Sequence, residues 1–139
     1  MDVLYTAAAT ATGGRQGRVH SSDGVLDLAL ALPKELGGMG GAATNPEQLF
    51  AAGYAACFEN ALLRVARERK APIRESSVTA RVGIGREESG YFRLTVALEV
   101  SVPGRDRAEV EEIVRTAHEE VCPYSRATRG NIEVDAKVV

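Results

Sequence analysis

Two cysteines, Cys57 and Cys122, are the residues of this chain best suited to covalent chemistry. A cysteine attacks a peroxide oxygen only as its thiolate, and a second thiol is needed to trap the sulfenic acid that forms. A cysteine with an ordinary pKa of about 8.5 is only a few per cent ionised at pH 7, and lowering that pKa by about two units takes about 2.7 kcal/mol. Because burial alone moves the pKa upward, a buried reactive cysteine requires a cation such as arginine, which in turn needs a carboxylate to orient it.

Other interpretations of these cysteines are open on the residues alone. Cys57 lies in an apolar stretch, where a cysteine is more often a small core residue than a nucleophile. The two cysteines are too far apart for a CxxC redox motif, and His20 and His118 are too few and too dispersed to complete a zinc site. Metal catalysis is therefore not expected, and His118 is predicted to be solvated on a polar flank of a helix.

The composition favours a single globular domain covering residues 1–139. Hydrophobic residues make up 45% of the chain and charged residues 26%, and the formal net charge of −2 offers no basic stripe for a nucleic acid. The first residues lack the features of a signal peptide, and the most apolar stretch, Leu49 to Phe58, is well short of the roughly 20 residues that cross a bilayer. We therefore expect no membrane association and a cytoplasmic location, where a disulfide would be transient and catalytic.

The elements that must position the cysteines follow from periodicity and turn residues. A first helix is predicted to begin near residue 46, capped by Asn45 or by a Thr44–Glu47 capping box, and to be buried on nearly all sides. A second amphipathic helix runs from Asp106 to its end at Cys122. The order is β-β-β-α-β-β-α-β, an α+β fold in which sheets wrap helices. The predicted strands are Leu4–Thr12, Gly17–Ser21, Val25–Leu32, Val78–Ile84, Leu94–Val102 and Ile132–Val138.

Four stretches of the chain resemble the organic hydroperoxide resistance (Ohr) proteins of the OsmC/Ohr family. They are TATATGGRQGRVHSSDGVLDL, PKELGGMGGAATNPEQLFAAGYAACF, RVGIG and VCPYSRATRGNIEV. Matched residue by residue, the resemblance implies that Cys57 attacks the peroxide and that Cys122 resolves the sulfenic acid. It further implies that Arg15 stabilises the thiolate and that Glu47 holds Arg15.

The resemblance also implies an activity and partners. The expected enzyme is a cysteine-based peroxidase that prefers organic to hydrogen peroxide and is regenerated by lipoylated proteins or dihydrolipoamide. The family forms intertwined homodimers in which sheets wrap central helices, and it needs no metal or organic cofactor. The alternatives are an OsmC-type peroxidase with a different peroxide preference and a non-catalytic dimeric binding module.

Each site residue has a competing structural interpretation. Glu47 favours the start of a helix through the helix dipole, Arg15 is equally an ordinary turn residue, and Arg18 is an equally good cation by composition. Phe50, Met39, Leu36 and Tyr124 are assigned to the wall of a substrate pocket, although core packing explains the first three equally well. Tyr124 and Ser125 either line the site near Cys122 or simply end the helix.

One geometric expectation tests the assignment. In a straight helix, Glu47 and Cys57 are separated by about 15 Å, which is long for one arginine to bridge. Because Gly53 lies between them, we predict a kink or break in the helix around residues 53–57.

Overall fold

The computed structural model describes residues 1–139, which divide into two compact units, Met1–Leu49 and Phe50–Val139. The single domain expected over 1–139 stays a prediction. The α+β class is confirmed, with two three-stranded sheets and three α-helices. No helix combines the length and the apolar composition that a membrane span requires.

The first unit contains a small antiparallel sheet of three strands, β1 (Ala9–Thr12), β2 (Arg18–Ser21) and β3 (Asp27–Ala29). All three predicted strands are present, but β1 and β3 are much shorter than expected. β3 begins after the Gly24 turn, and beyond its end the Ala31 N–H donates to the Thr44 carbonyl, outside the ladder. The sheet has no buried residue on either face. A three-stranded sheet with no covered face is marginally stable by itself.

Helix α1 (Pro46–Glu68) follows the first sheet. Asn45 caps it, because its side-chain oxygen accepts the backbone N–H of Gln48 at 2.8 Å, and Pro46 occupies the first turn, where its missing N–H costs nothing. The alternative capping box is wrong, since the Glu47 carboxylate binds Arg15 and the Thr44 hydroxyl donates to Gln48. The helix is continuous to its end, so the predicted break around residues 53–57 is wrong.

The prediction that α1 is buried on nearly all sides is also wrong for this chain. The side chains that are fully buried recur at helical spacing along one face, whereas Ala52 and Ala56 are exposed on another. The protomer covers only one side of the helix because its second sheet and its other helices pack on that side alone. The buried face consists of Tyr54, Phe58, Ala61, Leu62, Val65 and Ala66.

The core of the second unit lies between α1, α2 (Arg107–Thr116) and a mixed sheet. Strands β4 (Ser77–Arg86) and β5 (Phe92–Ser101) form the predicted antiparallel hairpin, and β6 (Val134–Val138) pairs parallel to β5. The alternating residues of β5 supply Val96, Leu98 and Val100 to the core, as their period of two predicts.

The segment after α2 holds the largest difference from prediction. A π-helical turn at Ala117–Val121 extends α2, and its last bond runs from the Cys122 N–H to the Ala117 carbonyl at 2.8 Å. Cys122 itself is extended, and Pro123 begins a further short helix, α3 (Pro123–Thr128), that was not predicted. Proline ends the preceding helix because it disfavours helical geometry at Cys122, and it also suits the first position of the next helix.

Candidate active site

Cys57 and Cys122 lie side by side in the second unit. Cys57 is on α1 and Cys122 is the residue that precedes α3, and their sulfur atoms are 3.7 Å apart with both thiols free. Cys122 is completely buried, whereas Cys57 is half-buried. Since a disulfide has a sulfur–sulfur distance of about 2.05 Å, a shift of about 1.6 Å would bring the two atoms to bonding distance.

The surroundings of Cys57 favour its neutral thiol. Burial raises the pKa of Cys57, the backbone N–H of Tyr124 lowers that pKa by donating to the sulfur, and Cys122 raises it again. The net direction is upward, because one amide donor does not offset the loss of solvation. A thiolate at Cys57 would therefore need positive charge in addition to this amide.

Arg15 and Glu47 form a two-point ion pair in the first unit. The Arg15 guanidinium donates to both carboxylate oxygens, at 2.8 and 2.7 Å, and the Glu47 side chain is only 12% exposed. These hydrogen bonds hold the pKa of Glu47 below its usual value, so the carboxylate stays charged. Arg18, the alternative cation, is bound to Asp27 across the exposed sheet. The pair fixes the Arg15 guanidinium in one orientation.

An apolar cavity of about 390 Å³ adjoins α3 in the second unit. Phe50 and Tyr124, two of the predicted pocket residues, line it, and their ring centroids are 6.3 Å apart. The other two lie in the first unit, where Met39 is almost fully exposed and Leu36 is half-buried in a short 3₁₀ turn at Lys34–Leu36. The cavity has the size of a small-molecule site.

Gly53 has a role other than the predicted kink. A Cβ at this position would lie 3.0 Å from the Tyr124 hydroxyl oxygen and 3.3 Å from a ring carbon. The glycine therefore lets the ring of Tyr124, the residue whose amide donates to Cys57, lie directly against α1.

Sequence reasoning named Ser125 beside Cys122 but missed the buried cluster of hydroxyl groups to which it belongs. The Tyr54 hydroxyl donates to Ser125 Oγ at 3.0 Å and lies 3.3 Å from Thr128 Oγ1. His118 was predicted to be solvated, which is wrong, since it is half-buried with Nδ1 3.0 Å from Ser125 Oγ. Its burial and the nearby Arg129 lower the pKa of His118. No sequence period links Tyr54 to α3, so only the fold could reveal the cluster.

Comparison with known proteins identifies close relatives. Residues 38–137 match the family model described as OsmC-like protein. The organic hydroperoxide resistance protein of Xanthomonas axonopodis pv. citri (strain 306) is 58% identical over 133 residues, covering 95% of this chain and 92% of that protein. Organic hydroperoxide resistance protein OhrB of Bacillus subtilis (strain 168) is 49% identical over 134 residues, covering 94% of this chain and 95% of that protein.

A solved structure has the same fold. The crystal structure of an organic hydroperoxide resistance protein from Legionella pneumophila matches with a TM-score of 0.93 and 51% identity. The match covers 99% of this chain and 98% of that one.

Proposed function

Because this chain belongs to the OsmC/Ohr family, we propose that it is a cysteine-based peroxidase that reduces organic hydroperoxides to alcohols. The observation that carries the proposal is the pair of free thiols, whose sulfur atoms are 3.7 Å apart. Cys57 lies on α1, and Cys122 directly precedes α3. Two thiols at this distance suit a cycle in which one is oxidised and the other traps the product. The names of the relatives support an organic hydroperoxide as the substrate.

In the proposed cycle the Cys57 thiolate attacks the terminal oxygen of ROOH. The O–O bond breaks, the alkoxide leaves as the alcohol ROH after taking up a proton, and Cys57 becomes a sulfenic acid. The Cys122 sulfur then attacks the Cys57 sulfur, the hydroxyl group leaves as water with the Cys122 proton, and a disulfide remains. A dithiol such as dihydrolipoamide or a lipoylated protein returns two electrons and two protons to restore both thiols.

We assign the cation that the Cys57 thiolate requires to Arg15, and its orientation to Glu47. The support is the upward shift of the Cys57 pKa, which leaves a need for positive charge, and the two hydrogen bonds that fix the guanidinium. Arginine suits this role because it stays charged at every pH at which the enzyme would work.

The organic part of the peroxide is assigned to the cavity lined by Phe50 and Tyr124. Its walls are mainly apolar, and they include Tyr124, whose amide donates to Cys57. Burial of an alkyl or aryl group there would contribute about 25 cal/mol per Å² of apolar surface, whereas hydrogen peroxide has no such group. The cavity therefore favours organic substrates over hydrogen peroxide.

We also propose a homodimer and a cytoplasmic site of action. The first sheet buries neither face, and Val25, Leu26 and Leu28 on or beside it are exposed, as are Ala52 and Ala56 of α1. A second copy that covered these apolar surfaces would remove them from water. Sedimentation equilibrium that gave a monomer at micromolar concentration would contradict the dimer. A reducing cytoplasm would supply the dithiol that the cycle consumes.

Peroxide consumption with dihydrolipoamide as electron donor tests the activity. Cumene hydroperoxide should be consumed faster than hydrogen peroxide, with two thiols lost per chain in a single turnover. Cys57→Ser should abolish turnover, and Cys122→Ser should permit one event, after which Cys57 proceeds to the sulfinic acid. Full turnover by both variants would refute the cycle, and inert thiols in the unmodified protein would favour a binding module.

A further inference from the structure

Two polar side chains, Ser125 and Thr128, are buried in a core that is otherwise apolar. They are the only polar residues that are almost completely buried, with 0% and 6% of their surface exposed, and both lie on α3. A buried hydroxyl must be hydrogen-bonded to avoid a penalty of about 1–3 kcal/mol, and an apolar residue of similar size would fill the same space without that risk. Their presence beside the cysteine pair therefore points to a requirement for defined geometry.

The Tyr54 hydroxyl joins both side chains to the neighbouring helix. It donates to Ser125 Oγ at 3.0 Å and meets Thr128 Oγ1 at 3.3 Å, and the ring is fully buried. The single Thr128 hydroxyl proton goes either to Tyr54 or to the Tyr124 carbonyl, which lies 3.0 Å from Oγ1. We name Tyr54, Ser125 and Thr128 the hydroxyl clamp.

The hydroxyl clamp connects the segments that carry the two sulfurs. Tyr54 lies three residues before Cys57, nearly one turn away on α1. Ser125 lies three residues after Cys122, whose backbone carbonyl accepts the N–H of Arg126 at the start of α3. A displacement of α3 away from α1 that separated the sulfurs would therefore also break the bonds of Tyr54.

We propose that the hydroxyl clamp positions Cys122 against Cys57, so that its three residues raise the tendency of the two thiols to form their disulfide. They are positioning residues, since none of them donates to or accepts from either sulfur. The inference rests on the proposed function for its meaning in the cell, because an oxidised Cys57 that meets Cys122 quickly is protected from further oxidation. Networks of fully satisfied buried hydrogen bonds stiffen their surroundings, which is the property that such positioning requires.

Equilibration of the protein in buffers of reduced and oxidised dithiothreitol tests the hydroxyl clamp without any peroxide. In this reaction oxidised dithiothreitol accepts two electrons and two protons from Cys57 and Cys122, which become the disulfide. Tyr54→Phe and Thr128→Val each remove one hydroxyl with almost no change of shape. Each should lower the equilibrium constant for disulfide formation three- to tenfold, which raises the reduction potential by about 15 to 30 mV.

Two matched variants control for the substitutions. Thr128→Ser keeps the hydroxyl and removes only a methyl group, and Tyr91→Phe removes a tyrosine hydroxyl at a position that is 76% exposed. Both should keep the potential of the unmodified protein. Urea unfolding of the dithiol and disulfide forms separates positioning from stability, since a merely structural role lowers both stabilities equally and leaves the potential unchanged.

Several outcomes would overturn the hydroxyl clamp. They are potentials of Tyr54→Phe and Thr128→Val equal to that of the unmodified protein, an equal shift in Thr128→Ser, and an unmodified protein that forms no disulfide in oxidising buffer. Failure of the peroxidase proposal is seen separately, as a protein that forms the disulfide in dithiothreitol buffer but consumes no cumene hydroperoxide.

Discussion

Replacing Glu47 with glutamine tests the ion pair that holds Arg15. Both bonds are charge-assisted, at 2.7 and 2.8 Å, and such bonds contribute about 1.5–3 kcal/mol each when they are shielded from water. Glutamine keeps one acceptor oxygen, so the variant loses one bond and the charge. Because the Arg15 side chain is 35% exposed, solvent screening reduces the loss. We expect the free energy of unfolding at pH 7 to fall by about 1–2 kcal/mol.

The pH dependence identifies the charge as the cause. Arg15 holds the pKa of Glu47 below its ordinary value of 4.5, so the stabilisation is fully present above 4.5 and is lost as the pH falls through the lower value of the folded protein. Urea unfolding of the unmodified protein and Glu47→Gln should therefore differ most at neutral pH. The difference should close progressively at pH values below 4.5.

Glu68→Gln is the matched control, because Glu68 lies on the same helix in an exposed pair with Arg64. Exposed pairs at this spacing contribute little, so Glu68→Gln should leave the unfolding free energy nearly unchanged. The reasoning is refuted if Glu47→Gln is no less stable than Glu68→Gln at neutral pH. It is also refuted if the difference in unfolding free energy between Glu47→Gln and the unmodified protein is the same in acid as at neutral pH. That result would mean that the altered shape of the side chain, and not the lost charge, destabilises the variant.

Two further predictions concern the residues around α3. His118→Gln should make folding less sensitive to acid. Burial lowers the pKa of His118 below 6.5, so the unfolded chain takes up that proton first as the pH falls, and the free energy of unfolding decreases. Urea unfolding across this pH range should show a smaller decrease in His118→Gln than in the unmodified protein, with His20→Asn as the control. Gly53→Ala should stabilise helix α1 by up to about 1 kcal/mol. It should nevertheless raise the KM for cumene hydroperoxide, because the added methyl group displaces the Tyr124 ring. An unchanged KM would contradict the assignment of that ring to the pocket.

The parts of the fold that depend on local pattern could be predicted from the sequence. The alternation in β4 and β5 was predicted correctly, and Asn45 was one of the two predicted caps, because both features require only neighbouring residues. The burial of α1 could not be predicted, because an alanine-rich helix has no polar face to mark the side that its own protomer leaves uncovered. The start of α3 was missed because Pro123 was interpreted only as the end of a helix, although proline is also suited to beginning one.

The residues of the candidate site could likewise be predicted only in part. The resemblance selected Cys57 and Cys122, and the fold then placed their sulfurs 3.7 Å apart, a distance that no spacing in the sequence could supply. The hydroxyl clamp escaped prediction because serine, threonine and tyrosine are common at the surface, and only their burial together distinguishes them.

In the proposed cycle, the burial of the sulfurs accounts for the need for both a cation and a second thiol. Burial raises the pKa of Cys57, so its thiolate needs positive charge nearby, a role that the proposal assigns to Arg15. Once Cys57 is oxidised, Cys122 is the nearest available sulfur, and it is itself closed to solvent. The approach of about 1.6 Å that completes the disulfide is small enough to compete with a second peroxide that must diffuse in. Protection from overoxidation therefore depends on the distance between the sulfurs, and any change that lengthens this distance should first appear as sulfinic acid at Cys57, before peroxide attack itself is slowed.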